Sequence, residues 1–295
     1  MTEHSTAFPD IAMIGFGEAA HAIAGSWHHR GWSALRTYDR GLENPETRHL
    51  IHVRCEEAGV EPNDHPKSAL AGAGLVISLV TADEALAAAI ACAPHLGPGS
   101  LWLDGNSCAP ETKVKAASLI EAAGAYYVDM AVMAPVYPRR HEVPLLLAGK
   151  MAEPARNLLL ELGMRPEIVG TRVGDASTIK MLRSVMIKGL EALTGECLLA
   201  ARRAGVEDAV LASLKASDPG IDWSARASYN LERMLVHGER RAAEMEEVCK
   251  TLTSLGLPDW MSRSTIEWQR KLADLELEAG VNSLTVRADR ILECL

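Results

Sequence analysis

Aromatic residues are scarce in this 295-residue chain: they make up 4% of it, and only two are Phe. A core built from such a chain is mainly aliphatic, and its abundant Ala and Leu favour helix. No apolar run approaches the roughly 20 residues that cross a bilayer. Positive charge is also in deficit. Lys and Arg number 30 against 39 Asp and Glu, a formal net charge of −9, whereas nucleic-acid binding needs a basic face. That balance leaves room for a small anion in a locally basic site. The six cysteines, Cys55, Cys92, Cys108, Cys197, Cys249 and Cys294, form no Cys-x-x-Cys pair, so neither a zinc site nor a redox dithiol is spelled out. Scattered thiols fit small buried hydrophobes in a reducing compartment. His28 and His29, and His49 and His52, have no third ligand spaced with them, and no metal is expected. No G-x-S-x-G hydrolase elbow occurs. The opening MTEHSTAFPD is acidic and polar and does not read as a signal peptide. The expectation is a cytoplasmic protein with no nucleic-acid or membrane partner.

What is present is globular: 48% hydrophobic and 23% charged residues. Short apolar runs at 11–14, 33–38, 75–80, 101–104, 126–132, 144–148 and 166–169 read as strands. Helical patterns fall between them, at 18–30, 46–58, 83–92, from Pro110, and at 152–162. That alternation predicts an α/β fold with a doubly wound, mostly parallel sheet. Beyond about residue 174 the strands stop. Residues 175–203, 223–255, 260–276 and 283–294 read as helices. The expected organisation is a Rossmann domain over 1–174 and an all-α domain over 175–295, without repeats or a Pro/Ser-rich linker.

The stretch IAMIGFGEAAHAIAGSW, 11–27, carries the first chemistry. Gly15, Phe16, Gly17, Glu18, Ala19 and Ala20 spell G-x-G-x-x-A between a strand and a helix. The first Gly permits the turn, the second lets backbone approach a pyrophosphate, and the small third residue allows close packing. The helix N-terminus then offers amide donors to phosphate. Asp39 ends the second strand, at the spacing of roughly 20 residues that a ribose-binding acid takes. Its carboxylate favours NAD. Arg40 beside it suits a 2′-phosphate or an adenine face, so NADP stays open.

Four segments resemble the β-hydroxyacid dehydrogenases, the superfamily of 3-hydroxyisobutyrate and 6-phosphogluconate dehydrogenases. They are the glycine turn, SLVTADEAL (78–86), LDGNSCAPETK (103–113) and VGDASTIKMLRSV (173–185). DMAVMAPVYP and IKMLRSVMIKGLEAL resemble more closely a bacterial phosphogluconate-dehydrogenase-like subgroup with a C-terminal domain of unknown function. The resemblance implies a nicotinamide cofactor, a loop at Val80 and Thr81 over the nicotinamide side, and Lys180 as the acid/base. It also departs from the family. Met133-Ala134-Pro135 stands where the family has the Ser-Gly-Gly turn that holds a substrate carboxylate. Ser184, preceded by Arg183, stands where it has Asn. Substrate recognition is therefore expected to differ.

The helix from about 176 is apolar over most of its surface, through Ile179, Met181, Leu182, Val185, Met186, Ile187, Leu190 and Leu193, and is expected to be buried. Lys180, Ser184 and Lys188 nevertheless recur on one face at i, i+4 and i+8. They are either a solvated stripe with snorkelling lysines or part of a cleft. The helix dipole, Arg183 and partial burial disfavour the charged form of Lys180, which suits proton exchange with a substrate hydroxyl. Asn106 and Ser107 are candidates to hold that hydroxyl or the carboxamide. Met133, Arg183, Ser184 and Lys188 are the candidate substrate residues, the two cations for an anion. Arg139, Arg140 and His141 read as a solvated or anion-binding loop, and His237 with Arg241 as a salt-bridged helix face. Asp104, Asp129 and Asp175 read as strand-end or helix-start residues. The expected activity is hydride transfer between a nicotinamide and a small anionic substrate, a β-hydroxy acid or related alcohol. The alternatives are an imine or ketone reductase of the same fold, whose known members typically lack the Lys, and a dinucleotide-binding sensor. Long apolar helices in a thin second domain point to a homodimer.

Overall fold

The computed structural model describes residues 8–28 and 35–295. Residues 1–7, positions 29 and 30 of the expected first helix, His29 among them, and positions 33 and 34 of the expected second strand lie outside the described residues. In chain order the elements are β1 (Ile11–Ile14), α1 (Glu18–His28), β2 (Leu35–Tyr38), α2 (Pro45–Ala58), β3 (Glu61–Pro62), α3 (Pro66–Leu70), β4 (Leu75–Ser78), α4 (Ala85–Cys92), β5 (Leu101–Asp104) and α5 (Pro110–Ala122). β6 (Tyr126–Val132), β7 (Pro144–Ala148), α6 (Ala152–Glu161) and β8 (Arg165–Gly170) complete the sheet-bearing part. Helices follow: α7 (Asp175–Arg203), α8 (Glu207–Ser217), α9 (Trp223–Ser254), α10 (Trp260–Ala273) and α11 (Leu284–Cys294). β3, α3 and α8 add to the sequence reading. β3 and α3, of two and five residues, are too short to build a periodic signal.

The eight strands lie in the order β3-β2-β1-β4-β5-β6-β7-β8. All neighbours are parallel except β6 and β7. The order reverses at β1 and β4, the switch point where such sheets open a crevice beyond their carboxyl ends. Strict alternation divides the central strands between two cores. Ile11, Met13, Leu75, Ile77, Leu101, Leu103, Val128 and Met130 face one helical layer. Ala12, Ile14, Val76, Trp102 and Tyr127 face the other. Burying each large aliphatic side chain stabilises the fold by about 1.5–3 kcal/mol, so strands of four residues suffice. The Trp27 indole donates to the Leu162 carbonyl at 3.1 Å, which ties α1 to the end of α6. Burial pushes the Cys55 and Cys92 thiols up to about 12, so both are inert packing groups.

The chain divides into two compact units, Met1–Lys180 and Met181–Leu295, and the division falls within α7. In the second unit one cluster joins Met181 to Ala242, Met245 and Val248 of α9 and Ile266 of α10. Another gathers Leu198, Leu231, Leu272 and Ile291. α9 and α10 approach closely at Gly238, where a Cβ would run into the Gln269 carbonyl. Asp222 caps α9 by accepting from the Ala225 amide at 3.0 Å. α7 differs from its expected burial. Ile179, Leu182, Met186, Ile187, Leu190 and Leu193 are exposed on the single chain, Met186 to 62%. Only one face of this helix meets the hydrophobic clusters of the chain, so its apolar surplus remains outward. Among the described residues, no helix is long and apolar enough to cross a membrane.

Candidate active site

The glycine turn is built as its spacing requires. Gly15 has φ 85°, and its amide donates to the Tyr38 carbonyl at 2.9 Å. A Cβ there would lie 2.6 Å from the Leu79 carbonyl oxygen and 2.7 Å from Val80, so only Gly fits. A Cβ on Gly17 would meet nothing within 4 Å. Backbone is therefore open at the position where a pyrophosphate must approach, and α1 begins immediately after it. Ala20 is fully buried and lets α1 sit close to the sheet. Phe16 is buried, Ala19 half-buried, and Glu18 exposed. These features fit a dinucleotide.

Asp39 is drawn into the same turn. Its Oδ2 accepts from the Phe16 amide at 2.6 Å and its Oδ1 from the Gly41 amide at 2.7 Å. The neighbouring Arg40 is exposed but paired, Nη1 to Glu84 Oε2 at 2.6 Å. Val80 is half-buried and Thr81 exposed at the end of β4.

The end of β5 carries the second part. Asn106 is 3% exposed, and its amide group is turned inward. Nδ2 donates to Ser78 Oγ at 3.0 Å, and Oδ1 accepts from the Val80 amide at 2.7 Å. It therefore clamps the ends of β4 and β5 together rather than presenting its amide to a ligand. Ser107, next in the chain, accepts from Lys180 Nζ at 2.6 Å. Lys180 is half-buried, in the second turn of α7. The structure thus brings together Lys180 and Ser107, two of the three residues expected to be catalytic, and puts the third directly beside them.

Beneath this pair lies a charged cluster that the sequence reading did not assemble. Lys113 of α5 is fully buried. Its Nζ lies 2.9 Å from Asp104 Oδ1 and 3.5 Å from Asp129 Oδ1. It also donates to the backbone carbonyl of Asp104 and, at 3.4 Å, to that of Met130. The Tyr127 hydroxyl donates to Asp104 Oδ2 at 2.6 Å. Burial pushes Lys113 down, but Asp104 and Asp129 more than offset this and hold it above the ordinary lysine value. Burial and the same carboxylates push the Tyr127 phenol well up. Lys113, Ala116, Ala117 and Ile120 form the buried face of α5. A lysine on an otherwise apolar stripe was the available signal.

The remaining candidates are placed differently from one another. Met133 is half-buried, and its amide donates to the Pro144 carbonyl at 2.9 Å. Arg183 is exposed. Ser184 and Lys188 are each 5% exposed. Lys188 Nζ donates to Ser184 Oγ at 3.1 Å and pairs with Glu244 Oε2 at 2.9 Å, so its charge is already met within the second unit. Arg241 pairs with Glu191, and Gln269 donates to the same carboxylate at 2.9 Å. Burial, then Arg233, Arg240 and Arg241, pull His237 down to about 4. Arg139 and Arg140 are exposed, and Arg140 lies over the Tyr137 ring, 6.0 Å from its centroid.

Comparison with known proteins bears on both halves. A family model described as the NAD binding domain of 6-phosphogluconate dehydrogenase matches residues 10–146. A second, a domain of unknown function designated DUF1932, matches residues 201–272. A conserved hypothetical protein from Sinorhizobium meliloti 1021 is 39% identical, with a TM-score of 0.76 and 98% of each chain covered. The conserved protein MTH1747, whose structure is described as similar to 3-hydroxyacid dehydrogenases, is 34% identical. Its TM-score is 0.69, over 92% of this chain and all of that one. The fold alone is shared with 3-hydroxyisobutyrate dehydrogenase of Mycobacterium tuberculosis, at 15% identity, TM-score 0.72 and coverage of 95% and 99%. The same holds for an imine reductase from Aspergillus terreus, solved with a reduced NADP-type cofactor, at 18% identity, TM-score 0.57 and coverage of 91% and 95%.

Proposed function

The chain belongs to the β-hydroxyacid dehydrogenase superfamily, in the subgroup that joins a phosphogluconate-dehydrogenase-type NAD-binding domain to a domain of unknown function, and from that premise we propose that it oxidises a small β-hydroxy acid or related alcohol. The observation that carries this reading is the 2.6 Å contact between Lys180 Nζ and Ser107 Oγ at the carboxyl end of β5. When bound, a nicotinamide supplies the hydride acceptor. Gly15, Gly17 and the start of α1 would hold its pyrophosphate, and Asp39 its adenosine ribose. Lys180, in its neutral form, takes the hydroxyl proton as the carbon gives up hydride, and returns that proton in the reverse direction. Ser107 orients Nζ and the hydroxyl. Asn106 acts by fixing the Val80 amide and the strand ends. Arg183, exposed on α7, is the proposed anion-binding group, with Met133 lining the substrate side. Ser184 and Lys188 are assigned to the Glu244 pair that fixes α7 to α9. Screening hydroxy acids with the full-length protein, following NADH absorbance, tests the reading. Turnover of an imine or ketone alone, with no hydroxy acid oxidised, would replace it by a reductase assignment.

The cofactor proposed is NAD. Asp39 repels a 2′-phosphate, and the adjacent Arg40 is paired with Glu84. Quenching of tryptophan fluorescence is expected to give a Kd for NADH at least about tenfold below that for NADPH, a difference of about 1.4 kcal/mol. Equal or tighter NADPH binding would reverse the choice.

The proposed assembly is a homodimer through the exposed apolar stripe of α7. An unpartnered patch of this kind marks an association surface. Met186→Glu places a charge in its middle. Light scattering after gel filtration is expected to give a dimer for the native chain and a monomer for the variant. A native monomer would remove the proposal.

A further inference from the structure

Lys180 and Ser107 reach each other from separate segments, and each segment is anchored by a different buried carboxylate. Asp104 Oδ1 accepts from the Asn106 amide at 3.0 Å, one residue before Ser107. Asp129 Oδ2 accepts from the amides of Gly174 and Ser177 at 3.0 Å each, and from Ser177 Oγ at 3.1 Å. Those donors belong to the start of α7, three residues before Lys180. A helix start usually takes its cap from its own N-cap side chain. Here that position is Gly174, at φ 105°, which has no side chain to offer. Asp129, in the middle of β6, supplies the acceptor from outside the helix. A carboxylate at this end also meets the positive pole of the helix. Between the two carboxylates sits the buried Lys113 ammonium, 2.9 Å from one and 3.5 Å from the other.

We infer that Asp129, held by Lys113 against Asp104, is the positioning residue that sets the phase of the first turn of α7 and so aims Lys180 Nζ at Ser107. The inference rests on the reading of Lys180 as the acid/base of the proposed oxidation. Asp129 touches no reacting atom. It acts through the helix start, and Lys113 makes the two anchoring points one rigid unit. In a buried network Asp129 Oδ2 is held by three donors and Oδ1 by the Lys113 charge at 3.5 Å, and such contacts in a low-dielectric interior favour one geometry. An acid/base group displaced by about 1 Å loses on the order of 10²-fold in rate. The glycine turn does not depend on this network, so cofactor binding should survive its disruption.

The test uses the full chain and four variants. Asp129→Ala removes the acceptor. Asp129→Asn keeps its size and one carbonyl oxygen. Ser177→Ala removes a single donor and is the mildest of the set. Leu159→Ala, in the core beneath α6, destabilises the same unit by about 2–5 kcal/mol without touching the network. Two readouts are taken: kcat, KM and NADH affinity on the best hydroxy acid, and the pH dependence of Lys180 acylation by acetic anhydride, mapped by mass spectrometry. Asp129→Ala is expected to lower kcat by about 10- to 100-fold with KM and NADH affinity within about twofold. The acylation profile of Lys180 is expected to depart from that of the native chain, while those of the exposed Lys115 and Lys271 stay unchanged. Asp129→Asn should recover part of both effects, Ser177→Ala should shift them least, and Leu159→Ala should leave both unchanged. Midpoints for the Asp129 and Ser177 variants indistinguishable from those of the native chain and Leu159→Ala would overturn the inference. If no hydroxy acid turns over, the proposed oxidation fails, while the acylation profile still decides the positioning role.

Discussion

Replacing Lys180 with Ala is expected to lower kcat by about 10²–10⁴-fold while NADH binding stays intact. The side chain is held at 2.6 Å from Ser107 Oγ, beside the strand ends that border the expected nicotinamide position. Losing it removes the group that exchanges the hydroxyl proton, and water must take over without being oriented. Lys180→Arg should not restore activity. A guanidinium keeps its proton at any working pH, so it cannot accept one from an alcohol. Steady-state kinetics on the best hydroxy acid, paired with NADH fluorescence titration, separates the two effects. Full turnover in Lys180→Ala would remove the acid/base assignment. Loss of NADH binding in the same variant would instead mean that Lys180 serves the cofactor.

Lys113→Met is expected to cost about 3–5 kcal/mol, the usual penalty for removing one partner from a buried ion pair. For a protein of this size that is a fall in Tm of about 6–20 °C. The physical reason is what remains: two carboxylates a few ångströms apart in a dry interior with no cation between them. They cannot both stay ionised cheaply there. The folded variant therefore binds protons more readily than its unfolded chain does. Its stability should rise as pH falls from about 8 to about 5, because stability rises toward acid wherever the folded state binds more protons. A triple variant that adds Asp104→Asn and Asp129→Asn removes the stranded charges and is expected to recover much of the loss. Thermal unfolding followed by circular dichroism across that pH range checks both statements. A Tm for Lys113→Met within about 2 °C of the native value would show that the cluster carries no such strain.

Much of the architecture is legible in the sequence. The central strands of a doubly wound sheet are buried on both faces, so runs such as LVIS and LWLD stand out as short and continuously apolar. The turn from Gly15 to Ala20 was legible for a related reason. Its chemistry needs particular small residues at particular steps, and that need is local. Lys180 stood out because a cation on an apolar helix breaks a pattern, and the acid/base role proposed for it came from the family resemblance. The same signal existed at Lys113, on the buried stripe of α5, but Ala residues around it do not announce a core.

The sequence by itself determined the alternation of the main strands and helices, the glycine turn with Asp39 following it, and the lysine set in α7. Those features depend on neighbours within a few residues or on one periodicity. Only the tertiary structure decided which polar groups meet. It turned Asn106 inward to Ser78 and Val80, paired Arg40 with Glu84 and Lys188 with Glu244, and left Met186 and its neighbours outward. It also brought Asp129 to the start of α7 and Lys113 between two aspartates. The pairings join residues separated in the chain, some buried and some at the surface, through polar side chains that the packing brings together. No spacing in a linear sequence records that, because the partner is chosen by the packing of the sheet and its helices.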